Sequence, residues 1–284
     1  LLYVIGGLYG NRPALDAVLE LAAHDSSPAT LIFNGDFNWF NIDGADFDAV
    51  NREVLRHHAL RGNVETEIAR EDEGAGCGCA YPDAVSEAEV ERSNAILQRL
   101  RDTARAEPDV RLKLAALPMH QVAEVGGVRT AIVHGDLESL AGWSLSAETL
   151  ASTEKQKILI KQILMYECPI IASSHTCVPI AMALETSRGR CAIFNNGAAG
   201  MPNFRGTSCG LITRIATSPA RHAQPLYATQ LGEVRVEALP VNYDAARWQR
   251  NFLANWPAGS PAHQSYYRRI SEGPGYDITQ ANRL

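Results

Sequence analysis

Short apolar runs and amphipathic segments alternate through the first part of the chain. The strand-like runs lie at residues 3–5, 31–33 and 58–60. Residues 13–24 carry an apolar stripe that includes Leu15, Val18 and Leu19, which predicts a helix. Residues 46–56 predict a second helix. An alternating order of strands and helices favours parallel strands joined by crossovers, so this half of the chain predicts an α/β sheet.

The pattern changes after the third strand-like run. Residues 71–82 are acidic, rich in glycine and without periodicity, which predicts a surface loop. Residues 86–105 predict a helix with Ser86 as its N-cap. The β-type runs at 121–125 and 128–133 flank a Gly-Gly pair, so they predict a hairpin.

The remainder of the chain is richer in β-type runs. Residues 147–166 predict one more helix, capped by Ser146, and residues 170–172 predict one more strand. Residues 178–241 are mostly short β runs. The tail that follows is rich in Tyr, Trp, Pro and Arg, and we expect it to wrap on the surface.

These patterns divide the chain into one domain and one extension. We expect a domain over residues 1–241, with a loop-and-helix insertion at about 66–112, and a C-terminal extension over 242–284 packed on it. A chain of 284 residues, of which 46% are hydrophobic, is long enough to bury one large core.

Charge and cysteine content limit the class of protein. The net charge of -6 and the lack of a long basic run argue against nucleic-acid binding through a cationic face. The longest apolar stretches fall short of the roughly 20 residues that a membrane span needs. Six cysteines do not suggest a disulfide scaffold in a chain of this length, and we expect no export signal before the first strand. We therefore expect a cytoplasmic protein with reduced thiols.

Polar or glycine-containing turns follow five of the strand-like runs. These turns lie at residues 6–11, 34–36, 61–65, 134–136 and 174–177. The ends of parallel strands meet along one edge of a sheet, where ligands bind. The turns supply Asp36, Asn63, His134 and His175, a mixture of oxygen and imidazole donors. That mixture suits Mn²⁺, Fe²⁺ or Zn²⁺ better than Ca²⁺.

In order and spacing, the five turns resemble the motifs of the calcineurin-like metallophosphoesterases, from near residue 3 to about residue 205. The family pattern is Asp-x-His, Gly-Asp-x-x-Asp, Gly-Asn-His-Asp/Glu, His-Gly and Gly-His-x-His. The run at 195–202 resembles the Asn-Pro-Gly-Ser-x-Gly stretch of bacterial members. The resemblance implies an α/β fold in which two packed mixed β-sheets are flanked by helices, an αββα sandwich. It also implies two metal ions bridged by the second-motif aspartate.

The sequence keeps all the ligands of one implied metal site and lacks most ligands of the other. Gly7 and Tyr9 stand where the family has the Asp and His of its first metal site, and Cys177 replaces the last histidine of that site. Val64 replaces the histidine that assists the leaving group. The ligands that the resemblance implies for the second metal are all present, as Asp36, Asn63, His134 and His175.

The resemblance implies a divergent phosphoesterase that hydrolyses a phosphomonoester or phosphodiester with a metal-activated water. Asp36, Asn63 and His134 would carry the chemistry, with Mn, Fe or Zn at one retained site and the occupancy of the other open. The substrate would be a small phosphorylated compound or a nucleotide. The alternative is a catalytically weak protein of the same fold with a binding or regulatory role, which the loss of the first-site ligands and of the leaving-group histidine favours.

Several residues near these turns allow two interpretations. Tyr9 is either a phenolate ligand or a packed residue, and Cys177 is either a thiolate ligand or an inert buried thiol. Cys77 and Cys79 are either a free surface pair or ligands of a soft metal. If the loop that carries them folds over the sheet edge, three sulfurs would surround the first site.

Overall fold

The computed structural model describes residues 1–25, 27–72 and 76–284. Its strands are β1 (Leu2–Ile5), β2 (Thr30–Asn34), β3 (His58–Leu60), β4 (His120–Val125), β5 (Val128–Val133), β6 (Ile170–Ser173), β7 (Ile180–Thr186), β8 (Gly189–Asn195), β9 (Gly210–Ala216), β10 (Tyr227–Leu231), β11 (Val234–Val241) and β12 (Asn282–Arg283). Its α-helices are α1 (Arg12–Ala23), α2 (Gly44–Val54), α3 (Asn63–Ala69), α4 (Glu87–Arg105), α5 (Pro108–Ala115), α6 (Thr153–Tyr166), α7 (Ala245–Asn255), α8 (Pro261–Glu272) and α9 (Ile278–Ala281).

The strands form two six-stranded mixed sheets. One sheet has the order β10-β11-β9-β1-β2-β3, and the other has the order β12-β7-β8-β6-β5-β4. Strands β1, β2 and β3 run parallel, as the alternation of strands and helices predicts. In the second sheet β5, β6 and β8 are parallel neighbours, and β4 and β5 form the predicted antiparallel hairpin.

Alternation along β1 explains how the layers are stacked. Leu2 and Val4 join an apolar cluster between the sheets that includes Phe194 of β8. Tyr3 and Ile5, on the opposite face, join the cluster under the helical layer formed by α1, α2, α4, α7 and α8. A third cluster packs α6 on the outer face of the second sheet. These layers confirm the predicted αββα sandwich.

The predicted helix at 147–166 begins later than expected. Ser146 does accept a hydrogen bond from the backbone N–H of Thr149, at 3.1 Å, but only a short 3₁₀ turn follows, Thr149–Ala151. Ser152 is extended and interrupts the helical path, and its side chain then caps α6. Helices α3 and α5 were not predicted, because each is short and α3 begins inside the third turn motif itself.

The tail after β11 is helical and contributes to the core. Trp248, Phe252 and Trp256 are buried against the first sheet's helical layer, and the indole Nε1 of Trp256 donates to the carbonyl of Phe40 at 2.9 Å. Strand β12 pairs with β7 at the edge of the second sheet. Within the described residues, no helix has both the length and the apolar character that crossing a membrane requires.

Candidate metal centre

The turns at the strand ends come from both sheets and meet between them. The expectation that they lie along the edge of a single sheet is therefore wrong. Asp36 and Asn63 follow β2 and β3 of the first sheet, whereas His134 and His175 follow β5 and β6 of the second. Gly35 is required for this approach, because a Cβ there would lie 2.6 Å from both the amide nitrogen of Gly62 and the imidazole Nδ1 of His134. The site is therefore built from both sheets, and Gly35 leaves the room that the Gly62 backbone and the His134 ring occupy.

Glu65 connects the turn at residues 34–36 to the turn at residues 61–65 through hydrogen bonds. Its fully buried carboxylate accepts hydrogen bonds from the backbone N–H groups of Asp36 at 2.7 Å, Asn38 at 3.1 Å and Gly62 at 3.0 Å. Burial and the nearby Asp36 carboxylate raise the pKa of Glu65 to about 7. These bonds hold Asp36 in the left-handed region, at φ 53°, so that its carboxylate faces the histidines.

Three side chains converge on the Nε2 atom of His134, and we call Asp36, Asn63, His134 and His175 the retained quartet. That nitrogen lies 3.4 Å from Oδ2 of Asp36, 3.1 Å from Oδ1 of Asn63 and 3.1 Å from Nδ1 of His175. Donors bound to one ion at about 2.1 Å stand about 3.0–3.4 Å apart at octahedral or tetrahedral angles. The three distances around His134 thus match the spacing of ligands around a single ion.

Backbone carbonyls fix the tautomers of both histidines. The Nδ1 atom of His134 lies 2.9 Å from the carbonyl oxygen of Asn34, and Nε2 of His175 lies 3.0 Å from that of Cys79. A carbonyl only accepts, so each of these nitrogens carries the proton. In the neutral rings, the remaining nitrogens therefore present their lone pairs to the same point, which is the arrangement that metal-binding histidines adopt.

The charges of the quartet suit a cation. Burial opposes ionisation of Asp36, but the adjacent His134 outweighs it and lowers the pKa of Asp36. Burial and the neighbouring His134 lower the pKa of His175 to about 4, so His175 is neutral at neutral pH. For His134, burial is outweighed by Asp36, which raises the pKa of the imidazole. One carboxylate, one amide oxygen and two imidazoles fit Mn²⁺, Fe²⁺ or Zn²⁺.

Beside the quartet lie the positions at which the resemblance implies ligands of the first metal. They are occupied by Gly7, Tyr9 and Cys177, and we call them the filled half. The hydroxyl of Tyr9 lies 2.8 Å from Sγ of Cys177, within hydrogen-bond distance. A Cβ on Gly7 would stand 2.9 Å from the Tyr9 ring, so the ring takes the space that a side chain at position 7 would need. Burial raises the pKa of both the Tyr9 phenol and the Cys177 thiol, which keeps the pair neutral. This geometry favours packing over ligation for both residues.

The Cys77–Gly78–Cys79 turn differs from what the sequence predicts. Its two sulfurs are paired as a disulfide and Cys77 is buried, so the expectation of a free, reduced surface pair is wrong. Gly78, at φ 65°, reverses the chain tightly enough for the two cysteines to meet. Cys177 is a free thiol, as expected. Among the described residues, the His, Cys, Asp and Glu side chains that are grouped closely enough to hold a metal are Asp36, His134 and His175. No cysteine belongs to this group, so the three-sulfur cluster that a folded-over loop would allow is not formed.

Two other polar residues near the turns, Asp136 and Arg205, have local roles. The carboxylate of Asp136 accepts hydrogen bonds from the backbone N–H groups of its own turn, including that of Ser139 at 2.8 Å. Arg205 is exposed and pairs with Asp277 at 3.4 Å. Residues of the tail, by contrast, reach the site unexpectedly. The guanidinium of Arg269 donates to the carbonyl of Cys177 at 2.7 Å.

A cavity of about 190 Å³ opens beside the quartet. Aromatic side chains dominate its walls: Tyr9, Trp39, Tyr81, Trp143 and Tyr266. Val64, which stands where the resemblance implies a histidine, also lines it, and the lining residues that the structure describes include neither Lys nor Arg. Glu89 also lines the cavity but is paired with Arg92. An entering phosphate would therefore depend on a bound cation for charge compensation.

Solved structures with a similar architecture cover nearly the whole chain. A hypothetical protein from Pyrococcus horikoshii OT3 is 17% identical, with a TM-score of 0.61, over 97% of this chain and 100% of that one. A metallophosphoesterase from Sphaerobacter thermophilus is 18% identical, with a TM-score of 0.58, over 96% of this chain and 99% of that one. The sequence matches no family model and, at a significant level, no curated protein. The chain thus has the metallophosphoesterase fold, as its sequence predicts, and its function has to be argued from the site.

Proposed function

We propose that this protein is a metal-dependent phosphoesterase that works mainly through one metal ion. The observation that carries the proposal is the convergence of the retained quartet, with donor atoms 3.1–3.4 Å from Nε2 of His134. Asp36, Asn63, His134 and His175 would hold Mn²⁺, Fe²⁺ or Zn²⁺. Such an ion, when bound, supplies Lewis acidity and lowers the pKa of water at the site.

The protein's own residues would determine how a substrate is held. Asn63 keeps its carbonyl oxygen toward the site because its amide group donates to the carbonyl of Cys77 at 2.9 Å. The aromatic walls would exclude water around the ester, which strengthens electrostatic interactions there. Val64 offers no proton to a departing alcohol, a contribution that typically accounts for 10²–10⁴ in rate. The site therefore suits an ester whose leaving group departs without much protonation.

Charge balance favours a phosphodiester over a phosphomonoester. A divalent ion held by one carboxylate and three neutral donors leaves one net positive charge. A diester carries a single negative charge and would neutralise it, whereas a doubly charged monoester would leave an uncompensated charge in a buried pocket. The aromatic cavity beside the quartet offers space for the apolar or aromatic group of such a diester.

The second candidate function is a catalytically weak binding or regulatory role. It is supported by the filled half, where the hydrogen-bonded Tyr9 and Cys177 take the place of first-site ligands. A protein of this kind would bind a metal ion and a phosphorylated ligand without turnover.

Hydrolysis of aryl phosphates tests the proposal. Apo-protein reloaded with Mn²⁺, Fe²⁺ or Zn²⁺ should hydrolyse bis(4-nitrophenyl) phosphate faster than 4-nitrophenyl phosphate. The activity should disappear in His134→Ala and persist in His120→Ala, which changes an exposed histidine on β4. A protein that binds metal but hydrolyses neither ester would support the binding role instead.

A further inference from the structure

The Cys77–Gly78–Cys79 turn contacts the retained quartet through two backbone carbonyls, and the amide of Asn63 also lies 3.5 Å from Sγ of Cys79. The carbonyl of Cys77 accepts the amide N–H of Asn63 at 2.9 Å. The carbonyl of Cys79 accepts Nε2–H of His175 at 3.0 Å. Each bond turns the opposite atom of the side chain, Oδ1 of Asn63 or Nδ1 of His175, toward His134. Two of the four metal-site residues thus owe their orientation to one short turn.

The turn is itself anchored on both sides. The backbone N–H of Cys77 donates to Oδ1 of Asn94 on α4 at 2.9 Å, and the indole Nε1 of Trp143 donates to the carbonyl of Cys79 at 3.1 Å. A Cβ on Gly78 would lie 3.0 Å from Cγ of the buried Glu67, so the turn sits directly against α3. Within the turn, the two sulfurs are bonded to each other.

We propose that the Cys77–Gly78–Cys79 turn is a positioning element of the metal site, and that the bond between its sulfurs keeps both carbonyls aimed at Asn63 and His175. The inference rests on the metal site of the proposed function, but not on catalysis. His134 is the internal contrast, because its Nδ1–H donates to Asn34, outside the turn. Opening the turn should release His175 and leave His134 in place.

The sulfur–sulfur bond can be opened without adding a thiol that competes for metal. A water-soluble trialkylphosphine breaks the bond, each sulfur gains an electron and a proton, and the phosphine takes the oxygen of water to become its oxide. Before reduction, unfolded protein should expose four reactive thiols, from Cys168, Cys177, Cys191 and Cys209, and afterwards all six cysteines should react.

The test is the Zn²⁺ dissociation constant of wild-type protein before and after phosphine treatment, and of Cys77→Ser/Cys79→Ser. Reduction and the double substitution should each weaken binding by about 10- to 100-fold, the usual effect of losing partners that orient metal ligands. Phosphine should have no further effect on the double variant. The matched control Cys209→Ser, which removes a free thiol, should respond to phosphine as the wild type does.

Imidazole N–H resonances separate positioning from a general structural role. In the Zn²⁺-loaded protein, ¹⁵N-histidine spectra should contain N–H signals from Nδ1 of His134 and Nε2 of His175 that are protected from exchange with water. Reduction should abolish protection of the His175 signal and keep that of His134. Loss of both signals would mean that the bond supports the fold as a whole.

Three further results would overturn the inference. Equal Zn²⁺ affinity in oxidised, reduced and double-variant protein would show that the turn does not position the metal site. Tighter Zn²⁺ binding after reduction would show that the sulfurs act as ligands. Six reactive thiols in unreduced protein would show that the sulfur–sulfur bond does not form. None of these results depends on hydrolysis, so a protein that binds metal as described but cleaves no ester would reject the proposed phosphoesterase and leave this inference standing.

Discussion

The retained quartet and the filled half lie next to each other, yet they hold polar groups in opposite ways. In the quartet, lone pairs point at a common centre and the hydrogen-bond donors point away, toward backbone carbonyls. In the filled half, the phenol of Tyr9 and the thiol of Cys177 point at each other, and both remain neutral. One half is arranged for an ion, and the other satisfies its polar groups without one.

The difference teaches how positions beside a candidate metal site can be filled without a buried charge. A carboxylate at position 7 with no ion beside it would be a buried, unpaired charge, which costs several kcal/mol. Gly7 removes that charge, and the Tyr9 ring occupies the space. The residues at positions 7 and 9 are therefore coupled, because the glycine makes room for the tyrosine.

The largest effect should be the difference in Zn²⁺ affinity between variants of His175 and Cys177. These residues lie two positions apart in the chain, but one belongs to the retained quartet and the other to the filled half. His175→Ala removes a donor, and we expect it to weaken Zn²⁺ binding by more than about 100-fold, since losing even a ligand's orienting partner costs 10- to 100-fold. Cys177→Ala should change the dissociation constant by less than about threefold. Calorimetric titration of both variants checks the contrast. Similar losses in the two variants would mean that the halves act as one site.

Introducing a carboxylate at position 7 should have the next largest effect. Gly7→Asp forces a side chain against the Tyr9 ring at a positive φ of 65°, so we expect it to destabilise the protein by roughly 2–4 kcal/mol. Adding Tyr9→His should recover part of that loss, because the smaller ring makes room. Urea unfolding of both variants measures this coupling. A Gly7→Asp protein as stable as the wild type would argue that Tyr9 does not fill the position.

The smallest effect should come from the hydrogen bond of the filled half. Tyr9→Phe keeps the ring and removes the contact with Cys177, which should cost about 1 kcal/mol of the free energy of unfolding. The Zn²⁺ dissociation constant should not change. A marked drop in Zn²⁺ affinity would indicate that the phenol takes part in binding the ion.

The sequence predicts the strand ends well because local signals determine them. The Gly-Gly pair of residues 126 and 127 predicts the β4–β5 hairpin, and β3 begins and ends at the predicted residues, His58–Leu60. The resemblance that motif order carries implies the sandwich and identifies four side chains that the structure brings together, although their role as ligands stays a prediction. Each of these inferences depends on residue types at fixed spacing.

What the sequence does not predict depends on contacts between distant segments. A sequence does not indicate the role of the Cys77 and Cys79 carbonyls, because every residue has a carbonyl. Only the fold determines that these two accept hydrogen bonds from Asn63 and His175. The start of α6 at Thr153 was missed for a different reason. Ser146 and Ser152 are both suitable N-caps, and residue preference alone does not choose between them.

Metal stoichiometry tests the central claim most directly. Apo-protein equilibrated with excess Zn²⁺, passed through a desalting column and analysed by mass spectrometry for metal and protein should retain one equivalent per chain, held by the retained quartet. His175→Ala, treated in the same way, should retain none. Two equivalents in the wild type, with the second lost in Tyr9→Phe or Cys177→Ala, would contradict the account, because the filled half would then be a working metal site.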